Sequence, residues 1–279
     1  MVARPLDPAP YIRGILGDLP TVMTSATLAI SGSFAHFQAK VGLDETDGCV
    51  APSPFDYPRQ ALLYLPQDLP DPNDPTFGDA AIRRVIALTR HSGGGAFVLC
   101  TSHRMLQLLG AALRQQTAFD ILVQGSAPKH HLVERFKAAG DAILVGTMSF
   151  WRGVDVPGRC LRLVIIDKLP FASPGDPVVK AQIDHIETQG RSAFGSYQLP
   201  RASLLLRQGF GRLIRSQSDR GVVAILDGRI TQKGYGRNLL KGLPPARRTS
   251  VFNEAVDFLE EMLAVDAASP FVVGAPAAE

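Results

Sequence analysis

Gln208-Gly209-Phe210-Gly211-Arg212-Leu213-Ile214-Arg215 is the segment whose residue types and spacing can do the most chemistry. If it is helical, Gln208, Arg212 and Arg215 stand at i, i+4 and i+7 and share one face. A guanidinium is a planar fork of donors that matches phosphate oxygens. Two of them on a rigid face suit the charge that develops on a transferring γ-phosphoryl group. The plain alternative is a solvated helix face with ordinary surface arginines. Against it stand two glycines, each about 1 kcal/mol worse than Ala inside a helix, which point to a close approach.

A second segment, Gly146-Thr147-Met148-Ser149-Phe150-Trp151-Arg152-Gly153-Val154-Asp155-Val156-Pro157-Gly158, directly follows an apolar run that reads as a strand. Ligands of open α/β sheets bind beyond the carboxyl ends of the strands, where this loop falls. Its small and hydroxyl residues can donate to phosphate oxygens. Asp155 can accept from a ribose hydroxyl or hold an arginine. Phe150 and Trp151 read better as core packing than as base-stacking rings. Thr101-Ser102-His103 ends one strand and opens a helix, so its hydroxyls either cap that helix or hold a backbone phosphate. Capping is the simpler job. Gln124-Gly125 closes the next strand in a similar place. His130 and His131 are adjacent and make a poor metal pair. Gly93-Gly94-Gly95 precedes a strand, which is wrong for a phosphate-cradling loop and right for a flexible turn.

These groups are spaced by alternating elements. TVMTSATL (21–28), ALLYLP (61–66), GAFVLCT (95–101), DILVQG (120–125), DAILVGT (141–147), LRLVIID (161–167) and GVVAILD (221–227) read as strands. Most are continuously apolar, as expected of parallel strands covered on both faces. Amphipathic stretches at 78–91, 103–116, 129–139, 176–190, 200–214 and 251–264 read as the connecting helices. The rhythm predicts an α/β fold with a doubly wound, mostly parallel sheet and helices on both faces. Residues 44–58 and 66–77 are rich in Pro, Asp and Gly and read as linker and loop.

Composition excludes some classes. The 279 residues hold 29 Lys and Arg against 26 Asp and Glu, a mild basic excess with several arginines between Arg201 and Arg237. Cys49, Cys100 and Cys160 form no CxxC pair and are too few for an iron–sulfur cluster, so reduced thiols and no cluster are expected. No run approaches a membrane span and the first residues do not read as a signal peptide, so the expectation is a cytoplasmic protein without membrane contact. No GxxxxGK[ST] loop and no Asp-Glu-Ala-His-like box occurs, so nothing here grips the β- and γ-phosphates or Mg²⁺. No GxGxxG follows a strand, which disfavours a dinucleotide-binding enzyme.

Taken in order, the blocks resemble the C-terminal half of the DinG/XPD-like superfamily 2 DNA helicases. Thr24-Ser25-Ala26-Thr27-Leu28 resembles helicase motif III, FVLCTS (97–102) motif IV, the 146–158 loop motif V, and QGFGRLIR (208–215) motif VI with QxxGRxxR intact. Lys168-Leu169-Pro170-Phe171 is similar to a block of the bacterial DinG branch. The resemblance implies a RecA-like motor domain, with ATP between two such domains and single-stranded DNA crossing both. It implies that Arg212 and Arg215 reach the γ-phosphate with support from Gln208, and that Gly153 and Asp155 line the nucleotide side. It also implies that Ser102, Gln124 and Thr147 touch the DNA backbone and that Ser25 and Thr27 couple hydrolysis to movement. ATP and Mg²⁺ are then held mainly by a first motor domain, a partner in cis or in trans. Residues 1–45 are expected to be a remnant of that first domain, 46–58 a linker, 59–264 the second RecA-like domain and 265–279 a disordered tail. A stand-alone nucleic-acid-binding module without ATP chemistry is the alternative; the joint presence of Gln208, Arg212, Arg215 and Asp155 favours the motor half.

Overall fold

The apolar runs become one sheet. In a computed structural model that describes residues 5–17, 19–30, 32–43, 46–147, 150, 156, 158–173 and 175–268, the chain forms two compact units. The first comprises Met1–Pro54, Leu169–Gln208 and Ile230–Pro244; the second comprises Phe55–Lys168, Gly209–Arg229 and Pro245–Glu279.

The second unit carries strands β1 (Ala61–Tyr64), β2 (Ala96–Cys100), β3 (Ile121–Val123), β4 (Ile143–Thr147), β5 (Leu163–Ile166), β6 (Gly221–Ile225) and β7 (Arg247–Thr249). They pair in the order β3-β4-β2-β5-β6-β1-β7, and every pairing is parallel. Alternation along the strands splits the apolar residues between two faces. Leu62, Val98, Val123, Ile143, Ile165 and Val222 join one core with Leu106, Leu109 and Leu113 of helix His103–Gln116 and Leu259 of helix Phe252–Ala268. Their neighbours Leu63, Phe97, Leu99, Leu144, Val164 and Val223 are also buried, and Phe97 meets Phe136 of helix Lys129–Ala139 with ring centroids 4.7 Å apart. Both faces are covered, which is why the strands lack polar alternation. Burying each large aliphatic side chain stabilises by about 1.5–3 kcal/mol.

Six of the seven expected strands form. Residues 21–28 are not a strand: Val22 is 93% exposed, and Ser25 and Thr27 make a local turn in which the Thr27 N–H donates to Ser25 Oγ at 3.2 Å. A parallel strand needs ladder partners, and this apolar run has none among the described residues. The edge strand β7, Arg247-Arg248-Thr249, was hidden by its charge. Its first two side chains are exposed, and charge on an edge discourages pairing with other chains. The triple glycine is a tight turn with φ of +59°, +71° and +57° at Gly93, Gly94 and Gly95. A Cβ on Gly94 would lie 1.8 Å from the Asp141 carbonyl oxygen, so only glycine fits.

The first unit is helical: Ala9–Leu16, Ala35–Val41, Pro177–Thr188 and Gly236–Lys241, with a π-helical turn Phe194–Gln198 running into helix Leu199–Phe210. Asp176 caps the third of these by accepting from the Val178 N–H at 2.8 Å. Arg13 Nε donates to the Gly42 carbonyl at 2.6 Å and Arg207 to that of Ala29 at 3.1 Å, tying the early helices and loop to the later ones.

Candidate functional site

Three adjacent strands of the second unit end in polar groups. Ser102 follows β2 with extended backbone (φ −140°, ψ 150°), and its Oγ accepts from the Met105 N–H at 3.2 Å, so it is an N-cap. Gln124 follows β3, and its Oε1 accepts from the Thr147 N–H at 2.6 Å and the Thr147 hydroxyl at 2.9 Å. Thr147 ends β4, the strand between β3 and β2. Sheet order thus brings Ser102, Gln124 and Thr147 to the carboxyl ends of three neighbouring strands. Ser102 is exposed and the other two are half-buried.

Behind Ser102 stands a carboxylate that sequence reasoning missed. Asp167 follows β5, next to β2, and is fully buried. Its Oδ1 accepts from the Thr101 N–H at 2.9 Å and the Lys168 N–H at 2.6 Å, and the Thr101 hydroxyl lies 3.3 Å from Oδ2. Burial pushes the carboxyl up to about 7, against the opposing pull of those donors and the Lys168 charge.

The arginine segment differs from the continuous helix expected of it. Helix Leu199–Phe210 stops inside the segment, and residues 211–213 form a turn. Gln208 therefore sits in the last helical turn, while Arg212 and Arg215 lie beyond it and share no helical face with it. Gly209 and Gly211 weaken the helix, and a buried carboxylate offers the following N–H groups other partners. Asp219, 4% exposed, accepts from the Arg215 and Ser216 N–H groups through Oδ2, both at 2.7 Å. Gln60, also buried, donates from Nε2 to the Ser216 carbonyl at 2.8 Å and the Asp219 carbonyl at 2.9 Å. The ring of Tyr57, on the same short helix as Gln60, meets Phe210 edge-on at 6.0 Å. Gln60 and Asp219 thus pin the turn that presents Arg215.

That pinning is testable. Asp219→Ala leaves two N–H donors without their acceptor, an expected loss of about 1–3 kcal/mol. Amide hydrogen exchange at Arg215 and Ser216 is expected to quicken by roughly tenfold or more, since each 1.4 kcal/mol of local opening is tenfold, while Val222 to Ala224 stay protected. Asp219→Asn keeps an acceptor oxygen and is expected to restore most of the protection. Unchanged exchange at both amides in Asp219→Ala would remove the carboxylate from the account.

A further cation lies near this turn. Partial burial, and then the Arg212 guanidinium, hold the Lys129 ammonium below its ordinary value. Lys129 Nζ is 5.5 Å from the ring centroid of Phe150, which is buried as a core residue, as read from the sequence. Gly153, Asp155 and Trp151 lie outside the described residues. Ser25 and Thr27 belong to the first unit, as does Gln208, whose Oε1 has no hydrogen-bond partner among the described residues. The His130 and His131 rings lie 4.3 Å apart rather than diverging, and no three His, Cys, Asp or Glu converge on a metal site among the described residues.

A fully parallel sheet with helices on both faces, polar strand ends and an arginine turn ahead of β6 make a RecA-like α/β fold. Residues 85–246 match the helicase C-terminal domain family, and the chain belongs to that family. It is 42% identical over 261 residues to the ATP-dependent DNA helicase YoaA of Escherichia coli, across 93% of this chain and 41% of that relative. It is 37% identical over 251 residues to the ATP-dependent helicase DinG of Mycobacterium tuberculosis, across 88% of this chain and 38% of the relative. The chain therefore spans about two fifths of the length of these relatives. Among solved structures, Xpd4 of S. tokodaii superposes with a TM-score of 0.51 at 14% identity, over 68% of this chain and 38% of that one, a likeness of fold.

Proposed function

We propose that the chain is the second motor half of an ATP-dependent DNA helicase, working with a first half supplied in cis or in trans. Arg212 and Arg215 supply positive charge to the γ-phosphoryl group of ATP, and Gln208 supports them. Gly153 and Asp155 line the nucleotide side, and Ser25 and Thr27 couple hydrolysis to movement. Ser102, Gln124 and Thr147 hold the backbone of single-stranded DNA. ATP and Mg²⁺ are held mainly by the first motor domain, to which residues 1–45 belong, followed by a linker at 46–58 and the second domain at 59–264. The observation that carries the reading is the turn pinned by Gln60 and Asp219, which holds the backbone of Arg215 in place. A preorganised cation is what transition-state stabilisation needs, because little reorganisation remains to be made when charge develops. We place the protein in the cytoplasm as part of this proposal. Separately, no helix among the described residues is long and apolar enough to cross a membrane.

The first test is ATP hydrolysis by the purified chain with and without single-stranded DNA. No turnover alone, and DNA-stimulated turnover after addition of a separately made first motor half, is the expected pair of results. Turnover by the chain alone, abolished in Arg212→Ala, would mean that it builds a complete ATP site and would end the half-motor reading.

A further inference from the structure

The first unit holds an aromatic cluster that the helicase motifs leave unused. Phe171 and Phe194 have ring centroids 5.5 Å apart, Phe171 and Tyr235 5.7 Å, and Phe194 and Tyr235 5.2 Å. The rings come from three separate places: the stretch after β5, the π-helical turn Phe194–Gln198, and the residue that caps helix Gly236–Lys241. π-turns are rare and are found disproportionately at functional sites. Phe194 is 39% exposed and the other two rings are half-buried. One exposed apolar side chain is ordinary. Three rings in mutual contact, one of them 39% exposed, offer more apolar surface than a lone side chain.

The two sequence stretches that carry Phe194 and Tyr235 are one-sided in charge. From Thr188 to Ser218 the sequence has five arginines and no Asp or Glu; from Gly228 to Asn253 it has six Lys and Arg and again no acid. Phe194 stands in the first stretch and Tyr235 in the second. The exposed Arg191, Lys233 and Arg237 lie within three residues of a ring. The chain as a whole is nearly balanced, 29 cations to 26 acids, so this is local segregation and not a general basic excess. Aromatic rings on segments rich in cations match single-stranded nucleic acid: every base offers a π-face, and every nucleotide a phosphate.

We propose that Phe171, Phe194 and Tyr235 form a base-stacking platform for single-stranded nucleic acid, with Arg191, Lys233 and Arg237 taking the phosphates. The proposal rests on the DNA-binding reading above and adds to it a site in the first unit, apart from Ser102, Gln124 and Thr147. It separates the two kinds of contact by chemistry: backbone hydrogen bonds at the strand ends, base stacking at the rings.

The test is fluorescence anisotropy with the full chain and two labelled strands of about fifteen nucleotides, near the upper end of single-site lengths. One is oligothymidine and the other is an abasic strand of the same length. Wild type is expected to bind oligothymidine more tightly than the abasic strand. Phe194→Ala is expected to weaken oligothymidine binding on the order of 5- to 100-fold, as loss of one stacked base does, with little change for the abasic strand. Phe194→Tyr keeps a ring and is expected to keep the preference. Arg237→Ala is expected to weaken both strands and to lower the salt slope by about one. Equal affinity of wild type for both strands, or an unchanged Phe194→Ala, overturns the platform while leaving strand binding itself intact. Failure of wild type to bind either strand overturns both the platform and the DNA-binding reading. Sedimentation in which Phe194→Ala splits a dimer would assign the rings to a protein interface instead.

Discussion

In a motor assembled from this chain and a first half, Arg212→Ala is expected to lower DNA-stimulated ATP turnover by about 10³-fold or more, the range of an arginine finger. The loss should fall on kcat with KM for ATP little changed, because a finger acts where charge develops and not where the nucleotide is gripped. Single-strand binding should stay near wild type, since the proposed backbone contacts lie at Ser102, Gln124 and Thr147. Arg212→Lys should recover little: an ammonium is a point charge and cannot present two parallel donors. The environment supports this use of the side chain. Partial burial, and then the nearby Arg212 guanidinium, hold the Lys129 ammonium below its ordinary value, so the two cations lie within electrostatic reach of each other. Normal turnover in Arg212→Ala would remove the residue from the finger role.

The sheet was legible because its strands are read by one rule. Continuous apolar runs such as LVII in β5 and GVVAI in β6 leave no polar alternation, and only burial on both faces explains that. Helix 103–116 was legible to the residue, since Ser102 caps it and the apolar spacing is regular. The arginine segment was legible in composition but not in shape. Its helix ends at Phe210 because Asp219 and Gln60 offer partners that no local pattern announces. Gln60 lies 156 residues from Ser216 in sequence, and Asp167 lies 66 from Thr101. An isolated Gln or Asp in an apolar neighbourhood carries no period, so its role appears only when the fold brings its donors to it. Residues 21–28 failed for the opposite reason: an apolar, β-branched run predicts a strand, but a strand exists only with a partner.

Asp167→Asn tests how the fold carries one of these hidden groups. The wild-type carboxyl has a folded value near 7 against 3.8 for an ordinary Asp. Below about pH 4 it is protonated in both states, and the fold bears no buried charge. As pH rises, the unfolded chain releases its proton first, so stability falls through the window between about 4 and 7 and then levels off. With about 1.4 kcal/mol for each unit of separation, the wild type is expected to lose on the order of 4 kcal/mol from this group across that window. Asparagine has nearly the same shape. Its Oδ1 can keep the Thr101 and Lys168 N–H bonds, and its amide can donate to the Thr101 hydroxyl. The variant should therefore match wild type near pH 4 and exceed it at pH 8. Urea unfolding of both proteins at the two pH values reads the difference directly. A stability difference that is the same at pH 4 and pH 8 would show that Asp167 is ionised throughout and that its three donors outweigh its burial. Because Asp167 holds Thr101 beside Ser102, the same variant should match wild type in single-strand binding at about pH 5 and exceed it at pH 8, where the wild-type carboxyl is mostly ionised, if the neutral acid is the form that orders the strand end.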